Sequence, residues 1–593
     1  MKKDWRIYAK NADFNALSKR FGINPVTARI IRNRDIETPE EMERYLYGTL
    51  DSCFDPEIMT DMELGADIIM SAIETGDSIR VVGDYDVDGV MSTYILYDAL
   101  KKAGANVTYD IPHRVIDGYG INERIIMQAY QDGVDVIITC DNGIAAVDAI
   151  NKAVELGMTV VVTDHHEIPP VLPEADAIID PHQMEDAYPY KEICGALVSY
   201  KFISVLYKMM ELPFDRRMYL EYVAAATVCD VMPLLSENRI YVREGLRRMT
   251  QTENMGLRAL LNINQLANKT LTAYHMGFVI GPCINAAGRL GSAKEAMSLL
   301  LSDNEEDANR LAATLKEMND SRKSMTENGE KNVVAELSKS MKEVDGEEIP
   351  EDSVLVIYVP GLHESLAGIV AGRIKERYYR PTIIFTDSEK DETVLKGSGR
   401  SIDAYNMFEK IGEQGELLVK FGGHPLAAGL TIKKDKLELF RKELNQNSGL
   451  TEKDMTPKLM IDVPMPTGYA TMKLAEELEA LEPFGKGNEY PMFAEKDLEV
   501  LGYNIYGQNR NVMKLRVRSS RGNVAEMIYF RPDEFENNIK KWFTTDVCDK
   551  MVKGVYSGAK LDIAYELGIN EYNGVRSLQF VIKEYDVSST GCN

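Results

Sequence analysis

Three runs of β-branched residues punctuate the first part of the chain: Ile79-Arg80-Val81-Val82, Val134 to Thr139, and Thr159-Val160-Val161-Val162. Each is short, mostly apolar and bounded by Gly or Asp, the pattern of a buried strand. Between them, Val90 to Ala105 and Ile144 to Leu156 carry apolar residues at helical spacing. Strand, helix, strand in series predicts a parallel sheet. The carboxyl ends of its strands then share one edge, where ligands bind. A second α/β pattern starts at Val354-Leu355-Val356-Ile357-Tyr358 and runs to about residue 450. From about residue 495 short alternating runs dominate, with Asn573-Gly574 as a hairpin turn, which predicts a small barrel or sandwich.

The connections complete the layout. Residues 1–75 read as helical, and Leu17 to Arg29 fits either a helix-turn-helix or a plain helical hairpin. Asn304 to about Met341 has helix-forming composition with Gly329 as its interior breaker, which predicts one or two long helices. The acidic stretch Glu343 to Asp352, which contains Pro350, reads as a linker. The expected fold is therefore α/β: two parallel-sheet lobes joined by long helices, followed by a C-terminal β-barrel. The expected boundaries are a helical N-terminal region (1–75), a first lobe (76–300), connecting helices and linker (301–350), a second lobe (351–455) and the barrel domain (456–593).

At 593 residues the chain is too long for one core. No apolar run approaches the ~18 residues needed to cross a bilayer, and the N-terminal sequence lacks the apolar stretch of a signal peptide. Seven cysteines without a Cys-x-x-Cys pair argue for reduced thiols in a cytoplasm and against a zinc ribbon. The net charge of −25 does not suggest a polyanion binder, but it is uneven. Residues 1–34 hold nine Lys and Arg against Asp4 and Asp13. A basic groove is compatible with an acidic outer surface, because local potential decides where a polyanion goes.

The chemistry lies just beyond the predicted strands. Asp84-Tyr85-Asp86-Val87-Asp88-Gly89, Asp141-Asn142-Gly143 and Asp164-His165-His166 would meet at one sheet edge. Ala224 to Leu234 delivers a further carboxylate, Asp230, just before Pro233. Oxygen ligands with one or two imidazoles suit Mn²⁺ best and Mg²⁺ next. Such a set holds one ion or two, and paired ions clamp the attacking and leaving oxygens of phosphoryl transfer.

These segments resemble the DHH phosphoesterase superfamily, whose namesake triplet stands here as Asp164-His165-His166. Asp86-x-Asp88-Gly89, Asp141-Asn142-Gly143 and Asp230 follow in the family's order. The resemblance implies that Asp86, Asp88, Asp141, His165 and Asp230 ligate metal, and that His166, Asp84 and Asp164 belong to the catalytic site. For Asp84, a supporting or capping place is as compatible as ligation. Many relatives carry a His four residues before the first ligating Asp, where this chain has Val82, a departure shared with the RecJ branch of exonucleases.

Over residues 80–500 the chain is most similar to that branch. The matching segments are Asn285-Ala286-Ala287-Gly288-Arg289, Gly361-Leu362-His363-Glu364, Gly397-Ser398-Gly399-Arg400, Gly422-Gly423-His424 and Leu481 to Asn488. The glycines allow backbone N–H groups to approach a phosphate, and Arg or His adds charge-assisted hydrogen bonds. Arg114, Asn285, Arg289, His363, Ser398, Arg400, Gly422, Gly423 and His424 are thus candidate phosphate binders. Gly422-Gly423-His424 alone fits a tight turn equally well, and His182 and His275 read as structural.

In the barrel region, Lys514, Arg516 and Arg518 alternate with apolar residues and share one strand face. Beside Tyr503, Tyr506 and Tyr529 they form either a surface for single strands or an ordinary solvated face. The resemblance implies an OB-like barrel and a metal-dependent 5′→3′ exonuclease of DNA repair and recombination. Such an enzyme degrades single-stranded DNA to 5′-mononucleotides, in company with a helicase and a single-strand-binding protein. The alternatives are another DHH phosphodiesterase acting on short oligonucleotides or cyclic dinucleotides, and a non-catalytic single-strand-binding replication protein.

Overall fold

A computed structural model describes residues 3–114, 116–344, 347–389 and 391–588. The chain divides into two compact units. One takes Phe54–Met232 and Tyr241–Pro457; the other takes Trp5–Cys53, Pro233–Ile240 and the chain from Lys458 onward.

The first unit is built on the predicted parallel sheet. Its strands are β1 (Ser78–Val82), β2 (Asn106–Asp110), β3 (Val136–Cys140), β4 (Thr159–Thr163) and β5 (Ala177–Ile179), in the order β2-β1-β3-β4-β5. Helix α1 (Val87–Lys102) follows β1, α2 (Glu123–Gln131) precedes β3 and α3 (Val147–Glu155) follows β3. The β-branched runs form the central strands because both their faces are covered. Register places Val82 opposite Thr139, Cys140 opposite Thr163 and Thr163 opposite Ile179. The acidic residues that follow these strand ends therefore line one edge. Helices α4 (Gly195–Met209) and α5 (Leu220–Cys229) pack on α1, and α6 (Gly281–Leu290) leads towards the long helix α7 (Glu305–Leu337).

Helix α7 is continuous for 33 residues and passes through Gly329 without a break. A Cβ at Gly329 would come within 3.1 Å of both Leu362 and Val370, so the glycine there permits close packing. The stretch expected as a linker, Glu343 to Asp352, contributes to a two-stranded ribbon instead, Met341–Val344 pairing with Glu347–Pro350.

The second lobe contains β6 (Leu355–Tyr358), α8 (Ala367–Tyr378), β7 (Thr382–Asp387), β8 (Val394–Arg400), β9 (Leu418–His424) and β10 (Ala427–Lys433). Its sheet order is β9-β10-β8-β7-β6. The lobe is α/β, but its sheet is mixed, and this corrects the expectation of a second all-parallel sheet. Only β6 and β7, joined through α8, pair in parallel; the other three pairs are antiparallel. Loops as short as those after β7 and β9 cannot make the crossover that a parallel pair needs.

The second unit holds a closed barrel. Strands β11 (Phe493–Tyr506), β12 (Val512–Arg518), β13 (Val524–Tyr529), β14 (Lys560–Tyr572) and β15 (Val575–Val587) run in the order β11-β12-β13-β15-β14, and β11 also pairs with β14. Helices Pro532–Trp542 and Thr545–Val552 lie between β13 and β14 and make possible the parallel β13–β15 pair. The N-terminal helices Phe14–Phe21 and Pro25–Asn33 belong to this unit. Buried Arg34 grips Asp462 with both terminal guanidinium nitrogens, at 2.7 and 3.1 Å. At least this part of the basic N-terminal charge is structural.

Candidate metal centre

His165 stands at the end of β4 with its Nε2 among three carboxylates. Asp141 Oδ1 is 3.0 Å away, Asp88 Oδ2 3.6 Å and Asp230 Oδ2 3.7 Å. Two overlapping sets, Asp141–His165–His166 and Asp88–His165–Asp230, each have ligand atoms within 4.8 Å of one another. Asp86 caps α1, its carboxylate accepting from the Gly89 amide at 3.1 Å. The strand edge thus brings together residues from four separated segments.

Neighbouring backbone holds these groups in place. Asp88 accepts the first two amides of α4, Gly195 to Oδ2 and Ala196 to Oδ1, both at 2.7 Å. The helix N-terminus is a natural seat for a carboxylate. Asp164 is fully engaged. Its Oδ2 accepts from the Ile144 amide at 2.9 Å, and its Oδ1 from the His165 amide at 2.8 Å and from His166 Nδ1 at 2.7 Å. It orients the loop and His166. Tyr119 donates its hydroxyl proton to the Asp141 carbonyl at 2.8 Å, with His166 Nε2 3.0 Å away. With that proton committed, both nitrogens of His166 act as donors, which describes an imidazolium. Burial opposes that charge, yet the Asp164 carboxylate pushes the His166 pKa up to about 9. Asp84 accepts from the Gly120 amide through Oδ1, while its buried Oδ2 has no hydrogen-bond partner. Sequence reading did not single out Gly195, Ala196, Tyr119 or Gly120. Their roles arise from tertiary neighbours, and the one local signal is the small pair Gly195-Ala196 opening a helix.

The electrostatics are those of a site short of positive charge. Burial, then the neighbouring Asp86, pushes Asp84 up to about 8. Burial raises Asp88, and burial with the surrounding carboxylates carries Asp141 well above the usual carboxylate range. Burial lowers His165, favouring the neutral imidazole that a metal requires. Crowded oxygen donors, a neutral imidazole and an unpartnered buried oxygen fit a hard divalent cation.

A second cluster is cationic. A Cβ at Gly288 would fall 2.4 Å from the Tyr85 carbonyl oxygen, so α6 lies directly on the loop that carries Asp86. The next residue, Arg289, donates to the Ser365 carbonyl at 3.0 Å, and the Ser365 hydroxyl returns a bond to the Arg289 carbonyl at 3.1 Å. Arg114 covers the Tyr85 ring at 4.7 Å. Burial, then repulsion from Arg114 and Arg322, makes the Arg289 charge costly. Burial, then Arg114, does the same to Arg400. A Cβ at Gly368, in the first turn of α8, would meet Ser398 Oγ at 2.8 Å and Arg400 Nη2 at 2.9 Å. Guanidiniums gathered near a helix N-terminus form a cradle for an anion. Asn285 lies one turn before Arg289 on α6. Sequence reading missed Arg322 on α7, which is held by Asn319 and whose charge repels that of Arg289.

His363 caps the turn at Glu364–Leu366, its Nδ1 2.7 Å from Ser365 Oγ and its Nε2 3.4 Å from Glu389. Gly422, Gly423 and His424 lie on exposed edge strand β9. Ala427 pairs with both Arg400 and His424, and Gly429 with both Ser398 and Gly422, so these residues stand in shared rows across the sheet. His424 also accepts from the Leu426 amide at 3.4 Å, within its turn. His182 and His275 have local roles, beside Asp180 and in the cap at Thr272.

Sequence models match in three places: the DHH family, N-terminal domain, over residues 78–227, the DHHA1 domain over 351–448, and the RecJ OB domain over 461–584. The single-stranded-DNA-specific exonuclease RecJ of Bacillus subtilis is 32% identical over 99% of this chain and 71% of its own. That of Escherichia coli is 32% identical over 94% of this chain and 95% of its own. The chain belongs to the RecJ family. The crystal structure of RecJ from Thermus thermophilus in complex with Mn²⁺ superposes with a TM-score of 0.79 at 25% identity, covering 98% of this chain and 79% of that one. A manganese-bound exonuclease RecJ gives a TM-score of 0.58 at 31% identity, over 66% of this chain and 95% of that one.

In the RecJ OB domain the basic strand face is present, but two of the three expected stacking tyrosines are not beside it. Tyr503 pairs with Leu515 and Tyr529 with Met513, all in the barrel core; strand alternation sends them inward. Only Tyr506 is exposed, with Lys514 Nζ 5.8 Å from its ring centre. Lys514 pairs with Glu526 at 2.7 Å and Arg518 with Glu499 at 3.2 Å. Lys514 and Glu526 also border a cleft of about 490 Å³ together with Asn523, Asn570 and Gln579.

Proposed function

We infer that this RecJ-family chain is a metal-dependent 5′→3′ exonuclease that degrades single-stranded DNA to 5′-mononucleotides. The observation that carries this reading is the placement of His165 Nε2 among Asp88, Asp141 and Asp230, with Arg289 on the adjoining helix and Arg114 close enough to repel its charge. Asp86, Asp88, Asp141, His165 and Asp230 would hold Mn²⁺ or Mg²⁺, as one ion or two. A bound cation would supply water activation at neutral pH and neutralise charge developing on the phosphate oxygens.

The chain's own groups do the rest. Gly195 and Ala196 aim Asp88 and favour its carboxylate form against burial, and Asp164 and Tyr119 hold the His166 imidazolium towards the substrate phosphate. Arg114, Arg289 and Arg400, with Ser398 and the α8 N-terminus, take the terminal 5′ phosphate, which sets polarity. His424 follows the strand further along, and the barrel cations add affinity for long strands. No described helix is long and apolar enough to cross a membrane. We place the enzyme in the cytoplasm, where a helicase and a single-strand-binding protein prepare its substrate.

The deciding experiment is digestion of a long strand labelled at its 5′ or its 3′ end, with Mn²⁺, Mg²⁺ or chelator. The 5′ label should appear at once as mononucleotide, and chelator should stop its release. Cleavage confined to short oligonucleotides or cyclic dinucleotides would overturn the reading.

A further inference from the structure

Tyr274 and Phe278 are 64% and 66% exposed and stack on one another, ring centres 5.1 Å apart and planes 24° apart. Single exposed apolar side chains are ordinary; two large rings stacked in solvent call for an explanation. They sit at the start of the helical run that becomes α6, where the turn Met276–Ile280 widens to π-type geometry. Such turns are frequent at functional sites.

The inner side of this run lies on the immediate sequence neighbours of two proposed metal ligands. Cys229, next to Asp230, donates its thiol to the Met276 carbonyl at 3.6 Å, and a Cβ at Gly281 would fall 2.3 Å from its sulfur. Further along, Gly288 rests on the carbonyl of Tyr85, next to Asp86. One step around the helix, Phe278, Pro282, Asn285 and Arg289 recur at spacings of four, three and four, and none is fully buried. A single stripe therefore runs from the aromatic pair, past two proposed ligands, to the arginine of the anion cradle. At about 1.5 Å per residue the stripe is roughly 16 Å long. From the ~3.4 Å rise of a stacked strand upward, that span covers about three to five nucleotides.

We propose that Tyr274 and Phe278 form a stacking platform for the bases of the single-stranded substrate, about three to five nucleotides from the 5′ end held at Arg289. The inference rests on the exonuclease reading and deepens it by specifying where the strand leaves the metal centre. Aromatic platforms suit such an enzyme because every base has a π-face, so grip is gained without sequence preference. The platform also gives a minimum length for full affinity.

The test compares a 5′-phosphorylated dinucleotide with a long strand. In Tyr274→Ala/Phe278→Ala, KM for the long strand should rise roughly 5- to 50-fold with little change in kcat. The dinucleotide, too short to reach the pair, should lose less than about twofold; Phe278→Trp should retain the long-strand KM. Abasic sites at the third to fifth nucleotides should reproduce the KM rise on the unaltered protein, which makes the result independent of whether a variant folds. A base analogue that fluoresces when unstacked, placed there and bound in chelator, should be quenched by the unaltered protein and not by the double variant. An unchanged long-strand KM, or an equal loss on the dinucleotide, would overturn the platform while leaving the exonuclease in place. Failure of the unaltered protein to release mononucleotides would instead overturn the exonuclease.

Discussion

The amide of Gly195 donates to Asp88 Oδ2 at 2.7 Å, while a Cβ on the same residue would come within 2.7 Å of the Cβ of Asp141. One glycine thus holds one proposed ligand and leaves room for another. Gly195→Ala should force these two carboxylates apart. Overpacking of this kind costs about 1–3 kcal/mol, and misplaced ligands should weaken Mn²⁺ binding at least ~10-fold. Calorimetric Mn²⁺ titration of the variant checks it; affinity equal to that of the unaltered protein would show that the loop relaxes.

Removing a proposed ligand should separate hydrolysis from binding. Asp141→Asn and Asp230→Ala should abolish Mn²⁺-dependent nucleotide release while leaving strand affinity within a few-fold, because phosphate contacts elsewhere dominate it. Asp141→Asn should also stabilise the metal-free protein, since a buried carboxylate among like charges is replaced by a neutral amide. The melting temperature should rise roughly 2–4 °C for each kcal/mol of repulsion relieved. Near-normal turnover in either variant would remove that residue from the ligand set.

Stability should fall with pH without metal, and bound metal should remove that fall. Asp84, pushed up to about 8, and Asp88 and Asp141, also raised, bind protons in the folded state that the unfolded chain has released. Their contribution is fully present below the unfolded carboxylate pKa of ~4 and is lost as pH rises towards about 8. The metal-free melting temperature should therefore fall across that range. Mn²⁺ binding expels the same protons, so the stabilisation it confers should grow with pH. Melting curves with chelator and with saturating Mn²⁺ from about pH 5 to about pH 8 measure both trends.

Arg289 should read the 5′ end. A charge-assisted hydrogen bond to phosphate is worth about 1.5–3 kcal/mol. Arg289→Ala should lower kcat/KM on 5′-phosphorylated strands by roughly 10- to 100-fold and far less on strands with a 5′ hydroxyl. Arg114→Ala should shift the ratio in the same direction. Equal losses on both ends would reduce Arg289 to its bond with Ser365.

The barrel should matter only for long strands. Replacing Lys514, Arg516 and Arg518 by Ala should raise KM on long strands and spare short ones. It should also flatten the salt dependence of binding by about 0.7 in log–log slope for each lost phosphate contact. Lys514 and Arg518 already pair with Glu526 and Glu499, so Arg516 should carry the largest single effect. A salt slope identical to that of the unaltered protein would make this an ordinary solvated face.

The carboxylates and His165 could be picked out along the chain because a parallel sheet leaves one choice of edge. Strands as apolar as Val160-Val161-Val162 must be buried, and the polar residues that follow them must then emerge together. The barrel's alternation and the length of α7 were likewise written into local periodicity. What lay out of reach was every relationship that depends on which distant backbone comes near. Gly195 and Ala196 hold Asp88 across more than a hundred residues, and Tyr119 bonds the Asp141 carbonyl. Tyr503 and Tyr529 looked like surface rings until strand register turned them inward, and the second lobe's sheet became mixed because its hairpin loops are short. Hydrophobic period is a property of neighbours along the chain. Amide–carboxylate pairing, strand register and the exposure of Tyr274 and Phe278 are properties of neighbours in space, which packing of the whole core selects.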